Sequence, residues 1–241
     1  MIHRLGIESV PVDESSNSHS AASNKPPIEC IPMSALRLRD LFSTRLFRLA
    51  LILASSSAIR RQMLYAAGVE YDAIASAVDE DAIKAAHSDA AEMTVELAAA
   101  KALSISRTLP DAWVIGSDSA VNVDGRLFNK PATREAAAEH LRAFSGRAMQ
   151  LTSAVALVRA GEVDWRHVET VTLHVRPLSE EFITTYLDAE WPEVGYCVGV
   201  FRMEARGVQL FERVDGDHFT ILGMPLIPLL AALRERGLLL A

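Results

Sequence analysis

Ser55, Ser56 and Ser57 follow the apolar run Leu51 to Ala54, and Arg60 and Arg61 stand one helical turn further on. Serine hydroxyls and free backbone N–H groups at a helix start can hold anionic oxygens, and an arginine one turn in can fork onto phosphate. Equally, Ser57 could simply cap a helix with both arginines solvated. The run Ala77-Val-Asp-Glu-Asp81 offers three carboxylates, the ligand type that a hard divalent cation such as magnesium prefers, although such clusters are often solvated loops. Asp118 closes Gly116-Ser-Asp118 at the end of an apolar run, where an α/β sheet commonly presents chemistry; a turn former is the plain alternative. Together with Glu80 it could hold a metal or orient a water, and Lys130 would then face the same anionic substrate. Lys101 stands among alanines in a helical stretch, where a lone lysine is usually on the surface.

The elements that must carry these groups follow from hydrophobic period and turn chemistry. A strand at Leu51 runs through the serine turn into a helix. Val69 to Ala75 reads as a second strand and Ala91 to Leu109 as a long helix. A strand from Trp113 ends near Asp118, and Asp124-Gly125 turns the chain back to Lys130-Pro131. Thr133 caps a helix to Phe144, with Ala136 where a capping box would have glutamate. Strands Ala148 to Arg159 and Val163 to Val175 flank a tight turn at Ala160-Gly161-Glu162. Ser179 to Asp188 is helical, Gly195 to Phe211 is glycine-spaced and apolar, and after a final strand Pro225 opens a last helix to Arg236. With no internal repeat, these predict one elongated α/β domain with a mixed β-sheet flanked by helices, over residues 48–241. Residues 1–47 are expected to be a disordered extension. Ser15 to Pro27 has no apolar period, and Leu36 to Phe47 could form a short amphipathic helix or order only against a partner.

A chain of 241 residues, half of them hydrophobic, can bury a substantial core, and its net charge of −7 argues against a general nucleic-acid surface. Cys30 and Cys197 are the only cysteines, so neither a disulfide framework nor a cysteine-rich zinc site is expected. No apolar stretch reaches membrane-spanning length, and a cytoplasmic location is the expectation.

From about Leu49 onward the sequence resembles the Maf family of nucleoside triphosphate pyrophosphatases. The resemblance is carried by LILASSSAIRRQML, AVDED, AAAKA at 98–102, VIGSDSAVNVDGRLFNKP, FSGRAMQLTSAVAL and LFERVDGDHFTILGMPLIPLL, in that order. It implies a fold like that of inosine triphosphate pyrophosphatases, and divalent-metal-assisted hydrolysis between the α and β phosphates, with magnesium or manganese as the ion. It places Ser55, Ser57 and Arg60 at a phosphate-binding turn, Glu80 and Asp118 at the metal, Asp118 as proton acceptor, and Lys101 and Lys130 as catalytic cations. It also suggests a homodimer. FRMEARGVQLFER is similar to the branch acting on 7-methyl-GTP, with Glu204 as base-reading carboxylate, rather than the branch acting on dTTP and UTP. Three positions depart from the pattern: Ala58 replaces proline, Ile59 replaces the tryptophan of the methyl-GTP branch, and Ser119 replaces its glutamine. Two other classes fit less of this set: a catalytically weak nucleotide-binding regulator of cell division, and an interaction protein working through residues 1–47.

Overall fold

The computed structural model describes residues 51–240; the expected extension 1–47, its helix Leu36 to Phe47 and the domain start at Arg48 lie outside them. The chain enters on β1 (Leu51–Leu53), buried on both faces, and turns through the serines into α1 (Ala58–Ala66). The second strand is shorter than its apolar run predicts, β2 being only Asp72–Ala73. The reason is local: Gly68 takes φ +71° and the Val69 amide donates to the Leu64 carbonyl at 3.0 Å, so Val69 finishes the helix instead of starting the ladder. The acidic run is likewise not a loop. Asp79 accepts from the Ala82 amide at 3.3 Å and caps α2 (Glu80–Ala86), with Glu80 and Asp81 in its first turn, where the helix dipole favours negative charge.

After α3 (Ala90–Ser106) come β3 (Trp113–Val123) and β4 (Arg126–Phe128), joined by Asp124 and Gly125, both at positive φ. Thr133 accepts from the Ala136 amide at the start of α4 (Arg134–Phe144), as its type predicts. The long hairpin β5 (Ala148–Arg159) and β6 (Glu162–Val175) follows, then α5 (Glu180–Glu190). The glycine-spaced segment forms two short 3-10 stretches, Glu193–Tyr196 and Arg206–Leu210, before β7 (Phe211–Asp215), the single-turn α6 (His218–Ile221) and α7 (Leu226–Glu235). The strands make one seven-stranded mixed sheet in the order β2-β1-β3-β5-β6-β7, with β4 also on β3. β1 pairs in parallel with β2 and β3, and the remaining pairs are antiparallel.

Alternation along β3 decides what reaches the site, because successive side chains leave opposite faces of a strand. Val114 joins Ile52, Ala102 and Ile105 beneath α3, whereas Ile115 joins Leu53, Leu64 and Leu229 beneath α1 and α7. Gly116 faces α3 so closely that an added Cβ would lie 2.0 Å from the Ala98 carbonyl oxygen and 2.9 Å from the Ala102 nitrogen. Gly116→Ala must therefore push α3, and Lys101 with it, off the sheet. Its expected cost is about 3 kcal/mol, read from the urea midpoint. No helix among the described residues is long and apolar enough to cross a membrane.

Candidate active site

A cleft of about 580 Å³ opens where β1 ends, and Ser55, Ser57, Ile59, Arg60, Glu80, Lys101, Asp118, Ser119, Lys130 and Glu204 all line it. Asp118 does not stand at a strand end as the sequence suggests; it is mid-way along β3. It is reachable because its neighbour stops first: Leu53, the last residue of β1, pairs with Ile115, three residues earlier. By alternation Asp118 emerges on the α3 face with Gly116, while Ser117 and Ser119 emerge on the α1 face.

On the α3 face Lys101 is buried, not on the surface. Its ammonium donates to Asp118 Oδ1 at 2.6 Å and lies 2.7 Å from Glu80 Oε1, so one cation holds both acidic groups. Lys84, a residue not foreseen from sequence, donates to the second Glu80 oxygen at 3.0 Å. Burial alone would raise the Glu80 pKa, but the hydrogen bonds from Lys101 and Lys84 outweigh it and hold the carboxyl at about 2. A depressed carboxylate stabilises the fold above its unfolded value and loses that contribution as pH falls through the folded one. The contribution of Glu80 is thus complete above pH 4.5 and lost towards pH 2. Glu80→Gln is expected to flatten the pH dependence of the urea midpoint across that window, leaving the dependence above pH 5 unchanged.

On the other face the serine turn is built differently from a simple cap. Ser57 occupies the N-cap position of α1 but makes no side-chain cap hydrogen bond, and Ser55 Oγ accepts from the Ser57 amide at 3.2 Å. The Ser55 proton, the Ser57 hydroxyl and the first-turn amides of α1 have no hydrogen-bond partner among the described residues. Arg60 departs from the expectation of a free phosphate fork. Its Nε donates to the Gly223 carbonyl at 2.8 Å, Nη1 to the Ser117 carbonyl at 2.9 Å and Nη2 to Ser119 Oγ at 3.0 Å. Burial lowers its pKa, opposed by the charges of Asp118 and Glu80. Two of the five guanidinium N–H groups remain. Arg60 is first a strut from α1 to β3 and to the segment before α7, and only its remaining donors can face an anion.

Ser119 is tied into the same strut. Ser153 Oγ donates to the Thr220 carbonyl at 2.9 Å, so it accepts from Ser119 Oγ at 2.8 Å, and Ser119 in turn accepts from Arg60. Arg60→Lys cannot span three acceptors with one ammonium. We expect a drop of at least about tenfold in kcat/KM and a lowered thermal midpoint, both measured against a surface Arg→Lys control at Arg107.

The far lip of the cleft is the segment from the first 3-10 stretch to Glu204. Lys130 and Glu204 are exposed on the cleft and Ile59 half-buried. The lip is fixed from below: Glu190, 5 % exposed, accepts from Arg202 Nη2 at 2.9 Å and Nε at 3.3 Å. Tyr186 donates its hydroxyl to the Val200 carbonyl at 3.0 Å, and burial raises its pKa, with Glu190 adding to the effect. Cys197 is a thiol whose pKa is pushed up by burial and then by Glu204, against Lys130 and Arg202. Arg202, Tyr196 and the Glu190 anchor were not foreseen, since nothing in their local spacing announces partners across the fold.

Comparison with known proteins agrees with the sequence resemblance. The model of the family described as Maf-like protein matches residues 50–236. The "7-methyl-GTP pyrophosphatase" of Rhizobium meliloti (strain 1021) is 47% identical over 191 residues, covering 78% of this chain and 96% of its own length. The "Nucleoside triphosphate pyrophosphatase" of Nitrobacter hamburgensis is 49% identical over 191 residues, covering 78% and 95%. Among solved structures, the Staphylococcus aureus Ham1 protein aligns over 52% of this chain and 71% of its own at 18% identity and a TM-score of 0.35, a likeness too slight to argue from. The matched span contains every residue of the cleft, from the serine turn to the last strut at Gly223, and the chain belongs to the Maf family.

Proposed function

We propose that this chain hydrolyses a nucleoside triphosphate between its α and β phosphates, releasing a nucleoside monophosphate and pyrophosphate, with 7-methyl-GTP as the preferred substrate. The observation that carries the reading is the division of the cleft into two chemistries. The serine turn, the first-turn amides of α1 and Lys130 offer donors for phosphate oxygens, and lining the same cleft is Asp118, a carboxylate held in place by Lys101. A phosphoanhydride breaks when its oxygen charge is neutralised and a water is set in line. Lys101 occupies Oδ1 of Asp118, and Oδ2 has no hydrogen-bond partner among the described residues. That oxygen is the one to take the proton of the attacking water.

A divalent ion fits this donor set. Among the described residues no three or more His, Cys, Asp or Glu side chains gather into a metal cage. Magnesium, however, is commonly held by one or two carboxylates completed by water and substrate phosphate. Asp118 and Glu80 would hold it through the lone pairs that the ammonium groups of Lys101 and Lys84 leave free on their oxygens, and when bound the ion would supply further neutralisation of phosphate charge. Glu204 supports a guanine-type base, because a carboxylate accepts from the ring N–H and exocyclic amine of guanine.

The test is pyrophosphate release from a panel of standard and methylated nucleoside triphosphates, with magnesium or manganese. Preference for 7-methyl-GTP, reduced by Glu204→Gln, is the expected result. Preference for dTTP or UTP would show that Glu204 does not read the base. Absence of turnover on every substrate would sink the enzymatic reading and leave a nucleotide-binding regulator.

A further inference from the structure

We propose that Tyr196 is the base-stacking residue of this cleft, replacing from the opposite lip the aromatic face that Ile59 does not supply. The inference rests on the reading that the cleft takes a nucleoside triphosphate, and it deepens that reading by naming how the base is gripped. Two aromatic side chains line the cleft among the described residues, and they differ in availability. Phe201 is 6 % exposed and packs edge-on against Phe211, with ring centroids 4.9 Å apart, so its faces are committed to the core. Tyr196 is 74 % exposed, a large ring held in water on the wall of a cleft.

Its backbone is not loose. Val194, two residues earlier, is fully buried, and the Cys197 amide on the other side donates to the Val194 carbonyl at 3.1 Å. Gly195 is needed for this geometry, since a Cβ there would lie 2.9 Å from the Trp191 ring packed beneath. The tyrosine is thus presented from an anchored turn, which lowers the entropy lost when a flat ligand settles on it. Its position also matches the polarity of the cleft. The phosphate donors lie at the serine turn, whereas Tyr196 shares its lip with Glu204, the carboxylate that reads the base edge. Cys197, the next residue, lines the same cleft as Glu204, Lys130 and Arg202, so the tyrosine turn, the base reader and the phosphate cation share one space. An electron-rich phenol face attracts a cationic ring, so a 7-methylated guanine gains more from it than guanine does.

Three forms decide the matter: wild type, Tyr196→Phe and Tyr196→Ala. For Tyr196→Ala the Michaelis constant for 7-methyl-GTP should rise about tenfold, the rise for GTP should be smaller, and kcat should stay within about twofold. Tyr196→Phe should behave as wild type, because stacking uses the ring and not the hydroxyl. Inorganic tripolyphosphate, which has phosphates but no base, should inhibit all three equally. Unchanged nucleotide kinetics in Tyr196→Ala would overturn the assignment, as would an equal loss of tripolyphosphate inhibition, which would mark a collapsed lip. If wild type hydrolyses no nucleotide, the catalytic reading fails and calorimetric titration with 7-methyl-GTP decides the stacking separately. Tenfold weaker binding by Tyr196→Ala alone supports it; equal binding, or none by wild type, overturns it.

Discussion

Asp118→Asn is expected to lower turnover by about a thousandfold or more while leaving the folded structure and its thermal midpoint close to wild type. The two halves of that expectation come from different atoms. Asparagine keeps an oxygen that can accept from Lys101 in place of Oδ1, so the link between β3 and α3 survives. What it loses is the second carboxylate oxygen, the only one positioned to accept a proton without giving up the lysine. The measurement is pyrophosphate release under saturating substrate, paired with a thermal melt of the same preparation. A variant that melts normally yet turns over near the wild-type rate would remove Asp118 from the proton-accepting role. One that is inactive because it has unfolded would leave the chemistry to a Glu80→Gln comparison at the other end of the ion triad.

Lys101→Met should fail in both respects. Methionine fills the space of the aliphatic stem but leaves Asp118 and Glu80 facing one another without the cation between them, and Asp118 is only 8 % exposed. Removing one partner of a buried pair leaves an uncompensated charge, a loss of about 3 kcal/mol, and turnover should fall by about a hundredfold. The double variant Lys101→Met with Asp118→Asn separates these causes. Neutralising the stranded carboxylate should restore most of the stability and none of the activity, so the two changes are strongly non-additive in the urea midpoint. Additive destabilisation would mean that the stability lost in Lys101→Met does not come from a stranded Asp118 charge.

The parts of the site that were legible in the sequence are those whose meaning is local. A serine turn after an apolar run, a lysine in a helix and an aspartate after a glycine can be read from neighbours in the chain, and all of them line the cleft. Strand alternation then sends Asp118 and Ser119 to opposite faces, which no motif states. The misreadings share one cause, that a residue's role is set by a partner far along the chain. Asp118 looked terminal because β1, which decides how far β3 is covered, lies some sixty residues earlier. Lys101 looked superficial until the carboxylates of α2 and β3 closed over it. Arg60 looked like a free phosphate ligand because its acceptors, Ser117, Ser119 and Gly223, are distant in sequence. Asp79 was a true local signal, a helix cap, hidden inside an acidic cluster that metal chemistry also explains.

The Gly223 carbonyl receives Arg60 Nε and Ser117 Oγ, joining the first helix and the central strand to a point 163 and 106 residues further on. During synthesis this gives the serine turn a long wait. The serine turn, Lys101, Asp118 and Lys130 have all left the ribosome well before residue 223 is made, yet until that residue arrives Arg60 has only Ser117 and Ser119 to brace against and no acceptor for its Nε. Such distant closures are entropically late events in folding. A nascent chain stalled at residue 216 therefore contains the serine turn and both lysines but lacks one of the three acceptors that hold Arg60. A chain that ends before residue 223 carries the motifs without the carbonyl that ties the first helix and the central strand to the last segment.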